Sequence, residues 1–259
     1  MPKKWNTIEK EKKRVILEKL YIKENKTIKE IGLLLILSEK TIFKRLLMLD
    51  IKTNRKQKLN YSNQRNDVII PINKSDKLAE LFGILLGDGN ISLFQIKVTL
   101  SKEEKSYSEH VANLFKINFN ASPKILVRKN GHLDIYLNSV KLSKWLMDEG
   151  LVFNKVKSQV SPPLWIFRKK EYMNSFLRGF FDTDGSLYKL RYGLQMSFSN
   201  RSMPLLVSLQ KTLNLLQYKP SEISSWKIYL TSKKDISRFF KEIKPKNQKH
   251  LNRFMEFKK

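Results

Sequence analysis

The chain has 259 residues, with 51 Lys+Arg against 24 Asp+Glu, a formal net charge of +27, three histidines and no cysteine. Disulfides, thiolate zinc sites, iron–sulfur clusters and thiol nucleophiles are excluded, so any chemistry rests on oxygen ligands, lysine or the scarce histidines. The longest apolar run, Leu33 to Leu37, falls far short of the roughly 20 residues of a membrane helix, and the charged start lacks a signal-peptide core; the chain is expected to have no membrane partner and to be intracellular, in cytoplasm, nucleoid or an organelle matrix.

With 41% hydrophobic residues the chain can build cores, so its positive excess belongs to a folded protein and points to a polyanion partner. Nucleic acid leads, because each Lys or Arg that faces a phosphate releases a condensed counterion. Residues 8–22 carry Ile8, Val15, Leu17 and Leu20 in an amphipathic helical pattern. Thr27 and Glu30 have the spacing of a capping box and open a short helix over Ile28 to Leu34. Ser38 then caps a second one, in which Ile42, Leu46 and Leu49 share a face. Two short helices joined around Ile36-Leu37 resemble a helix-turn-helix module, occupying residues 1–54. Its core would be Ile28, Ile31, Ile42 and Leu46, and Ser38, Lys40, Thr41, Lys44 and Arg45 would reach a major groove or its phosphates. Residues 55–74 are polar and basic and read as a linker.

Two nonapeptides then match each other. Leu81-Phe-Gly-Ile-Leu-Leu-Gly-Asp88-Gly89 and Leu177-Arg-Gly-Phe-Phe-Asp-Thr-Asp184-Gly185 share the leucine, the first glycine and the closing Asp-Gly. A strand alternation follows each, through Ile96, Val98 and Leu100 and through Leu194, Met196 and Phe198. Next come helical stripes, Tyr107, Val111, Leu114 and Phe115 in one copy and Leu205, Leu209, Leu213 and Leu216 in the other. A second strand pair runs from Ile125 to Leu137 across Asn130-Gly131, matched by Ile223 and by Trp226 to Leu230. Closing helices pass through Leu142, Trp145 and Leu146 and through Ile236, Phe239, Phe240 and Ile243. The expected fold is α+β, two pseudo-symmetric αββαββα units over residues 75–160 and 161–259.

The small residues Gly83 and Gly87, and Gly179 and Thr183, stand four apart on their helices, so two such helices can pack with backbones close and bring Asp88 beside Asp184. Carboxylates at two helix C-termini repel each other unless a cation lies between them. Mg²⁺ answers that need, binding one or two carboxylates with substrate phosphates and water, and such ions activate water and stabilise a phosphodiester in flight. Gly89 and Gly185 are expected to end the helices in the left-handed conformation.

These paired motifs, their strand-rich sequels and the basic chain resemble the LAGLIDADG homing endonucleases of the single-chain, two-motif kind, over about residues 75–259. The resemblance implies an intron-encoded, monomeric, site-specific endonuclease that cuts double-stranded DNA at a long asymmetric target with Mg²⁺, for which Mn²⁺ would substitute. Asp88 and Asp184 would hold the metal, with the adjoining Gly87 and Thr183. The two sheets would form a saddle over the major groove. Strand alternation then assigns Gln95, Lys97, Thr99, Arg128, His132, Asp134 and Tyr136 to one half-site and Lys189, Arg191, Gln195, Ser197, Lys227 and Tyr229 to the other. The family's basic pocket around the scissile phosphates would be Lys155 and Lys249, from the similar stretches Asn154-Lys155 and Asn247-Gln248-Lys249, with Lys102 and Asn200 positioning water. Leu86 stands where the second motif has Asp182, so unequal metal binding by the halves is expected. The same fold also serves intron RNA maturases and non-cleaving DNA-binding regulators, which keeps intron RNA as an alternative partner.

Overall fold

The computed structural model describes residues 7–24, 26–51, 67–191 and 193–258. The chain divides into two compact units, residues 1–62 and 63–259.

In the first unit, α1 (Thr7–Glu18) runs into a π-helical turn over Lys19–Lys23 and is followed by α2 (Ile28–Leu35) and α3 (Glu39–Met48). The expected caps are present. Thr27 Oγ1 accepts from the Glu30 amide at 3.2 Å while the Glu30 carboxylate accepts from the Thr27 amide at 2.6 Å, and Ser38 Oγ accepts from the Thr41 amide at 3.2 Å. Ile36 ends α2 with a left-handed φ of 54°, and the Leu37 amide closes on the Gly32 carbonyl at 2.8 Å. Leu17, Tyr21, Ile31, Ile42, Leu46, Leu49 and Ile51 form the core, with Leu20 and Ile28 packed against it. Val15 departs from expectation and is exposed; Tyr21, four residues after Leu17, fills the core instead. The side chain of Ile8 lies outside the described residues.

Residues 55–66 of the expected linker also lie outside them. The rest of that stretch is packed structure, because Val68 is buried in the core of the second unit and the Ile69 amide donates to the Phe119 carbonyl at 2.9 Å.

The first half of the second unit runs α4 (Asp76–Gly87), β1 (Gly89–Ile91), β2 (Gln95–Ser101), α5 (Lys105–Phe119), β3 (Lys124–Val127), β4 (His132–Asn138) and α6 (Val140–Asp148). The second half runs α7 (Lys170–Asp184), β5 (Gly185–Leu190), β6 (Gly193–Ser199), α8 (Met203–Leu215), β7 (Lys227–Leu230), α9 (Lys233–Glu242) and α10 (Gln248–Lys258). Antiparallel sheets of order β1-β2-β4-β3 and β5-β6-β7 make the architecture α+β. The repeat is imperfect. No strand forms at Ile223; instead Ser224 and Lys227 exchange backbone hydrogen bonds of 3.0 and 2.9 Å across a tight turn that contains Trp226. The additional α10 stacks Phe254 on Phe240 at 4.0 Å.

Helices α4 and α7 pack along the centre of this unit, and both are buried over most of their length. Glycine allows the approach: a Cβ on Gly83 would lie 2.8 Å from the Phe180 amide nitrogen, and one on Gly179 would lie 3.0 Å from the Glu80 carbonyl carbon. The buried Glu80 carboxylate takes Arg178 of α7 at 2.9 Å and His110 of α5 at 2.6 Å. Burial opposes the Glu80 charge, but His110 and Arg178 outweigh it and hold the carboxyl below its usual range. Gly89 and Gly185 are not left-handed caps, since Gly185 has φ −85° and both begin strands directly. They are needed for room, as a Cβ on Gly89 would lie 2.8 Å from the Leu85 carbonyl carbon and one on Gly185 2.7 Å from Phe181 Cε2.

Candidate functional site

The two central helices deliver their last residues to one place. A Cβ on Gly87 would lie 3.5 Å from the Asp184 carboxyl carbon, so Asp184 is held against the final turn of α4, from which Asp88 emerges as the C-cap. Both acids remain partly accessible. Burial lifts the Asp88 carboxyl above its usual range against the pull of Lys155 and Lys249, and nearby Glu104 adds to the rise. For Asp184, burial first and the Asp88 charge second push the carboxyl up to about 6, with Asn200, Lys155 and Lys249 acting the other way. The two acids therefore share one electrostatic environment.

Lys155 donates to the carbonyls of Leu85, at 3.3 Å, and Gly87. Those are unsatisfied acceptors of the α4 C-terminus, where the helix dipole favours a cation. Burial pulls its ammonium below the usual lysine range while Asp184 and Asp88 oppose the shift. Asn200, just past β6, donates to Asp184 Oδ2 at 2.8 Å. Lys249 Nζ bonds Glu104 at 2.7 Å. Lys155, Lys249 and Asn200 are thus brought to the paired acids. Lys102 is not: it is exposed, its amide donates to the Gly131 carbonyl at 2.9 Å, and its side chain runs beside that hairpin turn. Thr183 keeps its hydroxyl in α7, donating to the Gly179 and Phe180 carbonyls at 3.1 and 3.0 Å.

Three participants, Glu104, Asn247 and Asp182, have no assigned role in the sequence reading. Glu104 closes a capping box on Ser101 and accepts from Asn247 at 2.5 Å as well as from Lys249. Burial disfavours its charge, yet these donors hold the carboxyl below its usual range. Asn247 also donates to the Asp182 carbonyl at 2.9 Å, and the buried Asp182 carboxylate accepts the Lys246 and Asn247 amides at 2.8 and 3.2 Å. The Asp182 that breaks the match with Leu86 is therefore an anchor for the segment carrying Lys249. Its carboxyl is pushed up to about 7 by burial, against those two amide bonds. The capping-box spacing Ser101 to Glu104 was the one signal available for Glu104.

The donor set here is all oxygen: two desolvated carboxylates beside helix-end carbonyls. That chemistry fits a hard divalent ion completed by phosphate and water rather than a closed protein cage; among the described residues no group of three or more His, Cys, Asp or Glu forms such a cage.

The sheet faces sort the remaining expectations. Cross-strand register places Gln95 with Asn138, Lys97 with Tyr136, Thr99 with Asp134 and Ser101 with His132, all alternating with buried Ile96, Val98 and Leu100. Arg128 reaches this face from its turn by pairing with Asp134, which also takes Thr99 Oγ1 at 2.8 Å. On the second sheet Gln195 lies opposite Tyr188, Ser197 opposite Tyr229 and Ser199 opposite Lys227. Four expectations need correction, the first being Asp134, which is buried at 5% exposure. Lys189 stands two residues after buried Leu187 and so has the parity of the core side, Arg191 lies in the turn after β5, and Ser197 is buried at 2% exposure. Tyr188 takes the outward place on β5. In the first unit Lys40 and Lys44 are exposed on α3, whereas Ser38 and Thr41 bond each other at 2.8 Å and Arg45 is half-buried.

A family profile described as a LAGLIDADG-like domain matches residues 171–244, from α7 past the end of α9. The chain is 31% identical over 141 residues to the replication factor C small subunit of Methanocaldococcus jannaschii, a match covering 52% of this chain and 7% of that protein. It spans 11% or less of the length of the curated relatives it matches. Among solved structures, the N-terminal LAGLIDADG domain of DUF199/WhiA is similar at 20% identity and a TM-score of 0.49, over 70% of this chain and 89% of that one. I-DmoI in complex with DNA and Ca is similar at 18% identity and a TM-score of 0.46, over 65% and 88%. Among the described residues no helix is long and apolar enough to cross a membrane.

Proposed function

We propose that the chain is a site-specific endonuclease that hydrolyses double-stranded DNA at a long asymmetric target, a single-chain LAGLIDADG enzyme whose two halves stand in for the subunits of a symmetric dimer. One observation carries the reading. Asp88 and Asp184 leave two glycine-packed helices at the same point, where the Asp88 charge helps push the Asp184 carboxyl up, with Lys155, Lys249 and Asn200 around them. Carboxylates kept adjacent at the expense of burial and repulsion indicate a functional rather than a stabilising arrangement.

The Asp88 and Asp184 carboxylates would hold Mg²⁺ or Mn²⁺, the Gly87 carbonyl being taken by Lys155. When bound, such an ion polarises phosphoryl oxygen and lowers the pKa of coordinated water. Lys155 and Lys249 supply positive charge fixed in advance near the phosphate, where a desolvated setting makes it most effective. Asn200 orients the Asp184 carboxylate through its amide. The outward residues Gln95, Lys97, His132, Tyr136, Gln195, Lys227 and Tyr229 offer donors and acceptors to base edges, and the net charge of +27 supplies the backbone attraction. In the first unit Lys40 and Lys44 add a helix-turn-helix contact.

The test is incubation with the uninterrupted form of the gene that hosts this reading frame, in Mg²⁺ and in EDTA. The expected result is a double-strand break near the insertion point in Mg²⁺ alone. Tight binding without a break in either condition contradicts the enzyme and favours a DNA-binding regulator or an intron RNA maturase.

A further inference from the structure

Beside Asp184 lies a cavity of about 360 Å³ whose lining includes Gly87, Lys155, Asn200, Arg201 and Trp226. Trp226 holds an unusual backbone position there. Ser225 and Trp226 are the two central residues of the turn between Ser224 and Lys227, with φ of 50° and 62°. A turn with both central residues left-handed favours Asn, Asp and Gly, and a bulky side chain at positive φ is an outlier that persists where surrounding structure enforces it. The enforcement is visible, since the Trp226 carbonyl accepts the Asn200 amide at 3.2 Å, tying the turn to the residue that bonds Asp184. The indole gains little burial from this strain and stays 38% exposed, with the Arg201 guanidinium 5.8 Å from its ring centroid.

A strained, accessible indole beside a cation, on the wall of a cavity that opens on Asp184, is arranged for a flat partner next to a phosphate. We propose that Trp226 stacks on a nucleobase of bound DNA adjacent to the phosphate engaged by Asp88 and Asp184. The inference rests on the nucleic-acid reading of that site but not on cleavage. In a duplex the base faces are covered by their neighbours, so Trp226 stacks by inserting at a base step that partly unstacks; because every base presents a π-face the contact tolerates sequence, and a target need not be known. Arg201 neutralises backbone charge beside the stacked base.

The test uses the full chain in EDTA and a short mixed-sequence DNA duplex at low salt, with complex formation followed by mobility shift. Subtracting the emission of Trp226→Phe from that of the unaltered chain isolates Trp226. The expected result is quenching of this difference signal as the duplex saturates, Trp226→Phe binding within about twofold of the unaltered chain, and Trp226→Ala binding about tenfold more weakly. Complex formation with an unchanged difference signal overturns the stacking and leaves the nucleic-acid reading intact. Absence of any complex with the unaltered chain overturns both. The double substitution Ser225→Asn/Trp226→Gly installs residues that this turn prefers, and it should melt no lower than the parent while binding more weakly. A lower Tm with full affinity would make Trp226 a packing residue and overturn the proposal.

Discussion

Burial and the neighbouring Asp88 charge raise the Asp184 carboxyl from an ordinary 3.8 to about 6, so the folded chain disfavours the ionised form that unfolded chain carries readily. A raised folded-state value contributes stability while the acid is protonated, and that contribution is lost as pH climbs from about 4 through about 6. At pH 7 the charge costs on the order of 3 kcal/mol. Replacing it with Asn keeps the shape and an acceptor for Asn200 but removes the cost. Asp184→Asn should therefore raise Tm in EDTA at pH 7 and leave it nearly unchanged at pH 4, read by thermal melting at both values. An equal gain at both would mean that the charge is not the source. The acid identities were legible in the paired nonapeptides. Glu104 and Asn247 were not, because a capping glutamate and a loop asparagine carry no mark of the distant Lys249 and Asp182 they meet.

At the scale of elements, α4 and α7 depend on having no side chain at Gly83 and Gly179, where a Cβ would press on backbone atoms that cannot swing aside. Overpacking of this kind costs about 1–3 kcal/mol or more. Gly179→Ala should lower the unfolding free energy, read by denaturant titration, by that amount and reduce metal-dependent cleavage further, since it also parts the helix ends; unchanged stability would mean the helices tolerate separation. The spacing of small residues announced this contact, and apolar periodicity located the helices. Strand facing was less legible in the second half. Ser186 to Arg191 has apolar residues at both parities, through Leu187 and Leu190, so period two did not fix which side Lys189 faces, and the pairing of Tyr188 with Gln195 decided it. Ser197 looks outward by alternation, yet the tyrosines around it on that face leave it only 2% exposed. The strand expected at Ile223 failed because residues 224–227 close a turn that sequence alone gave no reason to place at Ser-Trp.

For the whole molecule, the compact unit over residues 1–62 has its own small core, and residues 63–259 contain the paired acids and both sheets. Caps at Thr27 and Ser38 made the two short helices of the first unit readable, whereas its use does not follow from its fold. If α3 contacts DNA through Lys40 and Lys44, removing residues 1–62 should weaken binding and flatten its salt dependence, because each lost phosphate contact lowers the slope by about one. The cut position should stay where it is. Equal affinity and slope after deletion, measured by titration at several salt concentrations, would make the unit a bystander.

The central claim is that two acids from two helices form one site. The direct measurement is Mg²⁺-dependent double-strand cleavage by Asp88→Asn, Asp184→Asn and the double variant, with binding measured in parallel. If the acids act as a unit, each single change abolishes double-strand cleavage by at least a hundredfold, the double change adds almost nothing, and binding persists. Losses that multiply in the double variant would show two independent sites, and cleavage that survives in either single variant would place the chemistry elsewhere.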